Sequence, residues 1–203
     1  MKTFVVKGNL CFSRSMDELV CMEHSYIVVE DGRVAGVFRT LPERYAQLPV
    51  LDYEDRLVLP GMTDLHVHAP QFAFRGLGMD MELLEWLNTY TFPEESKYKE
   101  LEYADRAYSS FVEHLLHSTT TRAAIFATIH VPATKLLMQK LDEAGLSCYV
   151  GKVNMNRNSP VYLREISTNQ ALRDTESWLC ETKEAYRNVK PILTPRFIPS
   201  CTD

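Results

Sequence analysis

Leu59-Pro-Gly-Met-Thr-Asp-Leu-His-Val-His-Ala-Pro-Gln71 is the stretch around which the chain is organised, and its centre is His66-Val67-His68. In a β-strand, residues i and i+2 project from the same face. If this run is a strand, both imidazoles leave a stiff backbone in one direction. They can then reach one ion at Zn–N distances of ~2.0–2.1 Å. Val67 would face the other way, into apolar packing. Pro60-Gly61 supplies a turn just upstream. A lone His-x-His more often marks a buried strand carrying two incidental histidines, so its meaning depends on its surroundings.

The chain of 203 residues is 45% hydrophobic and 24% charged, with a formal charge of −5. That is the composition of an ordinary globular protein of one or two domains. Mild acidity and the lack of a basic run argue against a nucleic-acid partner. No apolar stretch approaches the ~20 residues of a membrane span, and the N-terminus does not read as a signal peptide. The five cysteines, Cys11, Cys21, Cys148, Cys180 and Cys201, are odd in number and include no Cys-x-x-Cys. This usage suits free thiols in a reducing, cytoplasmic setting. Cys148 and Cys180 lie in apolar patterns and are expected in the core.

Residues 1–58 read as a small all-β domain. Thr3–Val6 is β-branched and aromatic, with Gly8-Asn9 as a turn after it. Tyr26–Glu30 and Arg33–Phe38 flank Asp31-Gly32, a two-residue hairpin signal that supplies the positive φ angles of a type I′ turn. Asp55–Leu59 closes the unit. His24 reads as a surface or turn residue.

From residue 59 to 203 the pattern becomes alternating strands and helices. A Gly-containing loop over 72–80 leads to a short helix over Met81–Tyr90, which Phe92-Pro93 should break. Leu101, Ala104, Tyr108, Phe111, Val112 and Leu115 mark a long helix from about 98 to 116. His114 and His117 near its end suit the helix dipole and read as structural. Ala123–Thr128 is a second strand, with His130 just past it. Pro132 opens a helix that ends at Ala144-Gly145. Cys148–Val153 is a third strand, followed by a polar loop over 154–160. Ser167 or Thr168 opens a helix to about Tyr186, with Ala171, Leu172, Thr175, Leu179 and Ala185 inward. Val189–Pro195 is a fourth strand, made irregular by its prolines. Four successive strand–helix units imply right-handed crossovers and a parallel sheet, with the chemistry at the C-terminal strand ends.

Leu-Pro-Gly-Met-Thr-Asp-Leu-His-Val-His resembles the first barrel strand of the amidohydrolase superfamily, metal-dependent hydrolases on a (β/α)8 barrel. Further segments resemble the guanine deaminases within it. They are His68–Gln71, Leu84–Pro93, Phe126–His130, Val150–Val153 and Val189–Phe197, in that order along nearly the whole chain. The resemblance implies an α/β fold: the N-terminal part of a TIM barrel, about four β/α units, preceded by a small β-sandwich-like domain. It implies His66 and His68 as ligands of one zinc ion. It implies a guanine site made by His68, Ala69, Pro70, Gln71, Arg196 and Phe197. Guanine O6 and N7 accept hydrogen bonds that an Arg fork or a Gln amide can donate, and Phe197 can pack on the purine face. The implied activity is zinc-dependent hydrolysis of guanine to xanthine and ammonia, by an enzyme that is a homodimer when complete.

The catalytic Glu, His and Asp of such an enzyme have no counterpart in the chain and are expected downstream of Asp203. The residues from 60 onward also fall well short of the ~250 of a typical barrel. Two alternatives stay open: a related deaminase of another heterocycle, and a half-barrel that is not catalytic without a partner chain. His130 follows strand two, where the resemblance puts no metal ligand.

Overall fold

The computed structural model of the chain describes residues 3–202. They divide into two compact units, with the boundary after Pro60.

The first unit holds β1 (Phe4–Ser13), β2 (Leu19–Glu30), β3 (Arg33–Phe38) and β4 (Val50–Val58) in one sheet of order β3-β2-β1-β4. Among the described residues this unit is one four-stranded sheet. The β2–β3 hairpin turns at Asp31-Gly32 with φ of 49° and 76°, the positive values anticipated there. Gly8-Asn9 is not a turn. It lies inside β1, where the register with both β2 and β4 shifts. A Cβ on Gly8 would sit 2.8 Å from Val58 Cγ2, so the missing side chain lets β4 close in. Asn9 then holds the bulge, donating from Nδ2 to Asp55 O at 2.9 Å and accepting from His24 N at 2.9 Å. The strand therefore runs on through a pair of residues that would end it in isolation.

The second unit is a parallel sheet of β5 (Met62–His68), β6 (Thr120–Phe126), β7 (Ser147–Gly151) and β9 (Val189–Pro191), in the order β5-β6-β7-β9. A short pair, β8 (Val153–Asn154) and β10 (Thr194–Pro195), extends it as two residues each. The expected irregularity of the proline-rich fourth strand is real: β9 and β10 are separated by Ile192-Leu193. Helices α3 (Leu101–Leu116), α4 (Val131–Glu143) and α5 (Thr168–Thr182) supply the core with Tyr108, Phe111, Leu137, Leu141 and Trp178. Against them pack Ala123, Ile125, Cys148, Val150 and Val189 from alternate strand positions, with Val67 as anticipated. This is the front part of a β/α barrel. Among the described residues no helix is long and apolar enough to cross a membrane.

In the second unit three further sequence expectations change. The Leu83–Ser96 stretch is continuous, with α1 (Leu83–Trp86), a π-helical turn over Leu87–Thr91, and α2 (Phe92–Ser96). Pro93 sits at the start of α2, where its missing N–H costs little, and the wider turn before it makes room for the ring. α5 ends at Thr182, short of the expected Tyr186, so Ala185 lies beyond it; its buried face is Ala171, Thr175, Trp178 and Thr182, while Leu172 and Ala185 are exposed. The larger Trp178 takes the core position, which turns Leu172 outward. Cys180 shares that outward face and is exposed, whereas Cys148 is buried as expected. Ser167 does cap α5, its hydroxyl accepting from Gln170 N at 3.2 Å. Gly145 ends α4 with φ of +76°.

Candidate active site

The β5 strand delivers both histidines to the sheet face opposite the helices. Their ring centroids are 5.1 Å apart, and each lies against Phe126 of β6, at 5.0 Å for His66 and 4.6 Å for His68. His68 stacks on Phe126 nearly face to face, at 19°. The neighbouring strand thus clamps the imidazole orientation. His66 is exposed and His68 half-buried.

Burial holds the His68 imidazole down at about 3, and the positive charges of Arg196 and then His66 add to the effect. At neutral pH His68 is therefore an uncharged lone-pair donor. Its Nδ1 is buried and has no hydrogen-bond partner. An orphaned imidazole nitrogen beside a second imidazole on one strand face fits a metal-binding role. The pair is not a complete site. Among the described residues no group of three His, Cys, Asp or Glu side chains comes together.

Directly after β5, residues 69–74 wind into a 3-10 turn. Ala69 and Pro70 are buried within it, and the Pro70 carbonyl accepts from Tyr98 OH at 3.4 Å. Their side chains do not line the cleft, whereas Gln71 reaches it. Arg196 arrives from the far end of the unit. Thr194 and Pro195 pair with Val153 and Asn154, and Arg196 N donates to Asn154 O at 3.1 Å. The Arg196 guanidinium is buried and ion-paired to Glu95 at 2.5 Å, and it lies over the Phe92 ring at 5.4 Å. Gln71 Nε2 is 3.5 Å from the other Glu95 oxygen. Burial pushes the Glu95 carboxyl up, against the pull of Arg196 and Gln71.

Glu95 was not anticipated from sequence. Its signal was a pair of adjacent acids, Glu94-Glu95, directly after the apolar Phe92-Pro93. Both are buried: Glu94 accepts from Lys97 at 2.6 Å and from the Tyr103 hydroxyl. The continuous Leu83–Ser96 helix carries Glu95 to Arg196, and a break at Pro93 would have hidden this.

His66, His68, Gln71, Arg196 and Phe197 line one cleft of about 670 Å³, together with Phe72, Phe74, Leu83, Trp86 and Leu87. It is an apolar slot with a few converging polar groups, the usual make-up of a small-molecule site. His130 is elsewhere, in a groove with Lys99 and Asp174. His114 packs on Phe72 at 5.1 Å, and His117 Nδ1 contacts Glu113 O at 2.9 Å; neither lies in the cleft.

The Lys152–Glu165 pair is a second buried feature that sequence reasoning missed. Lys152 is 1% exposed and Glu165 8%. Glu165 also accepts from Asn154 Nδ2 at 3.3 Å and Met155 N at 2.8 Å. It therefore fixes the segment on which Arg196 hangs.

The chain matches the amidohydrolase family over residues 57–203. It is 40% identical to guanine deaminase of Dictyostelium discoideum over 158 residues, 77% of this chain and 35% of that protein. With guanine deaminase of Escherichia coli strain K12 it shares 34% over 186 residues, 88% of this chain and 41% of that protein. A crystal structure of guanine deaminase from C. acetobutylicum with guanine bound in its active site superposes with a TM-score of 0.94 at 45% identity. That superposition covers 99% of this chain and 48% of the other. The chain thus spans less than half the length of these relatives. With the His-x-His strand, the parallel β/α sheet and the family match in agreement, the chain belongs to the amidohydrolase family and corresponds to the N-terminal part of its barrel.

Proposed function

We propose that these residues form the metal- and base-binding front half of a zinc-dependent guanine aminohydrolase, which converts guanine and water to xanthine and ammonia. One observation carries the reading. A single cleft brings the His66–His68 pair together with Gln71, Arg196 and Phe197, which come from opposite ends of the unit. Similarity to guanine deaminases along most of the chain supports the choice of substrate.

In this reading His66 and His68 hold the zinc. When bound, the ion supplies Lewis acidity and makes a hydroxide nucleophile available near neutral pH. The chain's own residues bind and orient the base. Arg196 and Gln71 present N–H donors suited to the O6 and N7 acceptors of guanine. Glu95 holds both donors in place, so binding guanine requires little reordering of their side chains. Phe197, 36% exposed, offers its ring to the purine face. Leu87 and Trp86 narrow the slot. This reading calls for a third ligand and a proton-moving glutamate in addition to the residues of this cleft. The same reading makes the complete enzyme a cytoplasmic homodimer.

The test is guanine turnover by the full-length protein, followed by ammonia release, with metal content measured in parallel. His68→Ala should lose zinc and lower kcat/KM at least 100-fold. Deamination of adenosine or cytosine with guanine untouched would overturn the substrate assignment.

A further inference from the structure

The first unit contains two cysteines with no part in the proposed site. Cys11 on β1 and Cys21 on β2 are direct partners in the antiparallel register. Their sulfurs are 3.5 Å apart, with the Cys21 thiol donating to Cys11 Sγ. Directly opposed antiparallel residues have Cα atoms ~4.5–5.5 Å apart. That range lies within the 4.4–6.8 Å that a disulfide spans. Shortening the sulfur separation to a bond of ~2.05 Å therefore requires side-chain rotation, not strand movement. Cys21 is exposed and Cys11 half-buried, so an oxidant reaches Cys21 while Cys11 waits beside it. Among the described residues the remaining three cysteines lack such a neighbour: Cys148 is buried in the second unit, Cys180 is exposed on α5, and the half-buried Cys201 donates its thiol to Asn154 O at 3.3 Å.

We propose that Cys11 and Cys21 are a reversible oxidation site that closes to a cross-strand disulfide under peroxide. The Cys21 thiolate attacks one peroxide oxygen, giving a sulfenic acid as the O–O bond breaks. Cys11 sulfur then attacks the sulfenic sulfur, and hydroxide leaves and takes up a proton. One S–S bond forms, the two thiol hydrogens are lost, and peroxide is reduced to two waters. A thiol reductant reverses the step. Sulfenic acid formation beside a resolving thiol is the usual course of such chemistry. An oxidation of this kind is compatible with a reducing compartment, where protein disulfides are transient. The bond would staple β1 to β2 across the Arg14–Glu18 turn and leave the metal-binding strand in the other unit unmodified.

The experiment is peptide mapping of the full-length protein after brief exposure to hydrogen peroxide and alkylation of residual thiols. Cleavage after Lys7, Arg14 and Arg33 releases Cys11 in the peptide 8–14 and Cys21 in 15–33. The expected product is these two peptides joined, lighter than their sum by two hydrogen masses and separated again by dithiothreitol. Cys11→Ser should instead leave Cys21 as a sulfenic acid that dimedone captures. Joined peptides that involve Cys180, or bonds only between chains, would overturn the proposal. So would full alkylation of both Cys11 and Cys21 after peroxide. None of these readouts uses guanine turnover, so the inference stands or falls apart from the proposed function.

Discussion

In the proposed reading Arg196 serves binding and stability together. Removing its guanidinium would take away a donor to the base, and it leaves the buried Glu95 carboxylate without its cation. Arg196→Gln should therefore raise the KM for guanine about 10–100-fold, the scale of one lost charge-assisted hydrogen bond. It should also destabilise the fold by about 3–5 kcal/mol, the scale of a broken buried pair. Steady-state kinetics and urea unfolding separate the two effects. An unchanged KM would remove Arg196 from the base site. Cys148 gives a second prediction at this scale. Burial pushes its thiol up to about 11 from an ordinary 9.0. The folded state thus retains a proton that the unfolded chain releases in that window. The associated stability is full below pH 9 and is lost as pH rises toward 11. The loss should reach about 3 kcal/mol at most, at 1.36 kcal/mol per pKa unit, and Cys148→Ala should flatten the urea midpoint across that range. Iodoacetamide at pH 8 should label Cys180 well before Cys148.

At the scale of elements, the segment carrying Arg196 and Phe197 has little regular structure of its own. It is held by β8: Arg196 N bonds to Asn154 O, and Asn156 N and Arg157 N bond to Ser200 O. Glu165 in turn holds β8 through Asn154 Nδ2, Met155 N and the buried Lys152 ammonium. Glu165→Ala should cost about 3–5 kcal/mol, because Lys152 is left as a buried cation without its partner. Hydrogen exchange should show amides 153–157 and 196–201 opening together in that variant. If only the former open, the two segments are not coupled. The Leu83–Ser96 helix shows the limit of local rules. Proline at position 93 reads as a breaker, yet a π turn absorbs it, and the unbroken helix delivers Glu95 to the site. In α5 the helix was legible but its orientation was not. Aliphatic residues suggested one face, and packing chose the face that buries Trp178.

At the scale of the molecule, the sheet ends at β5 on one side and β9 on the other. Leu65 and Tyr149, at 79% and 57% exposure, mark apolar surface on its strands. The described residues bring two imidazoles together but no third ligand. The 203-residue chain by itself should therefore bind zinc weakly and turn over no guanine. Supplying the remaining part of the barrel in trans, from a guanine deaminase relative that this chain spans only in part, should restore both, measured by metal retention on gel filtration and by ammonia release. Turnover by the short chain alone would show that two histidines and this cleft are sufficient.

The amino-acid sequence alone determined the parallel β/α order, the His66–Val67–His68 alternation, the Asp31-Gly32 hairpin and most of the buried face of α3. These follow from residue periodicities and turn chemistry, which act over a few positions. Resemblance to a family also pointed to Gln71, Arg196 and Phe197. Only the tertiary structure decided that Phe126 clamps the imidazoles and that Glu95 joins Gln71 to Arg196. It also decided that Gly8-Asn9 is a bulge and that Lys152 is paired inside. Each of these depends on residues distant in sequence, where close packing and the cost of an unpaired buried charge outweigh local preference.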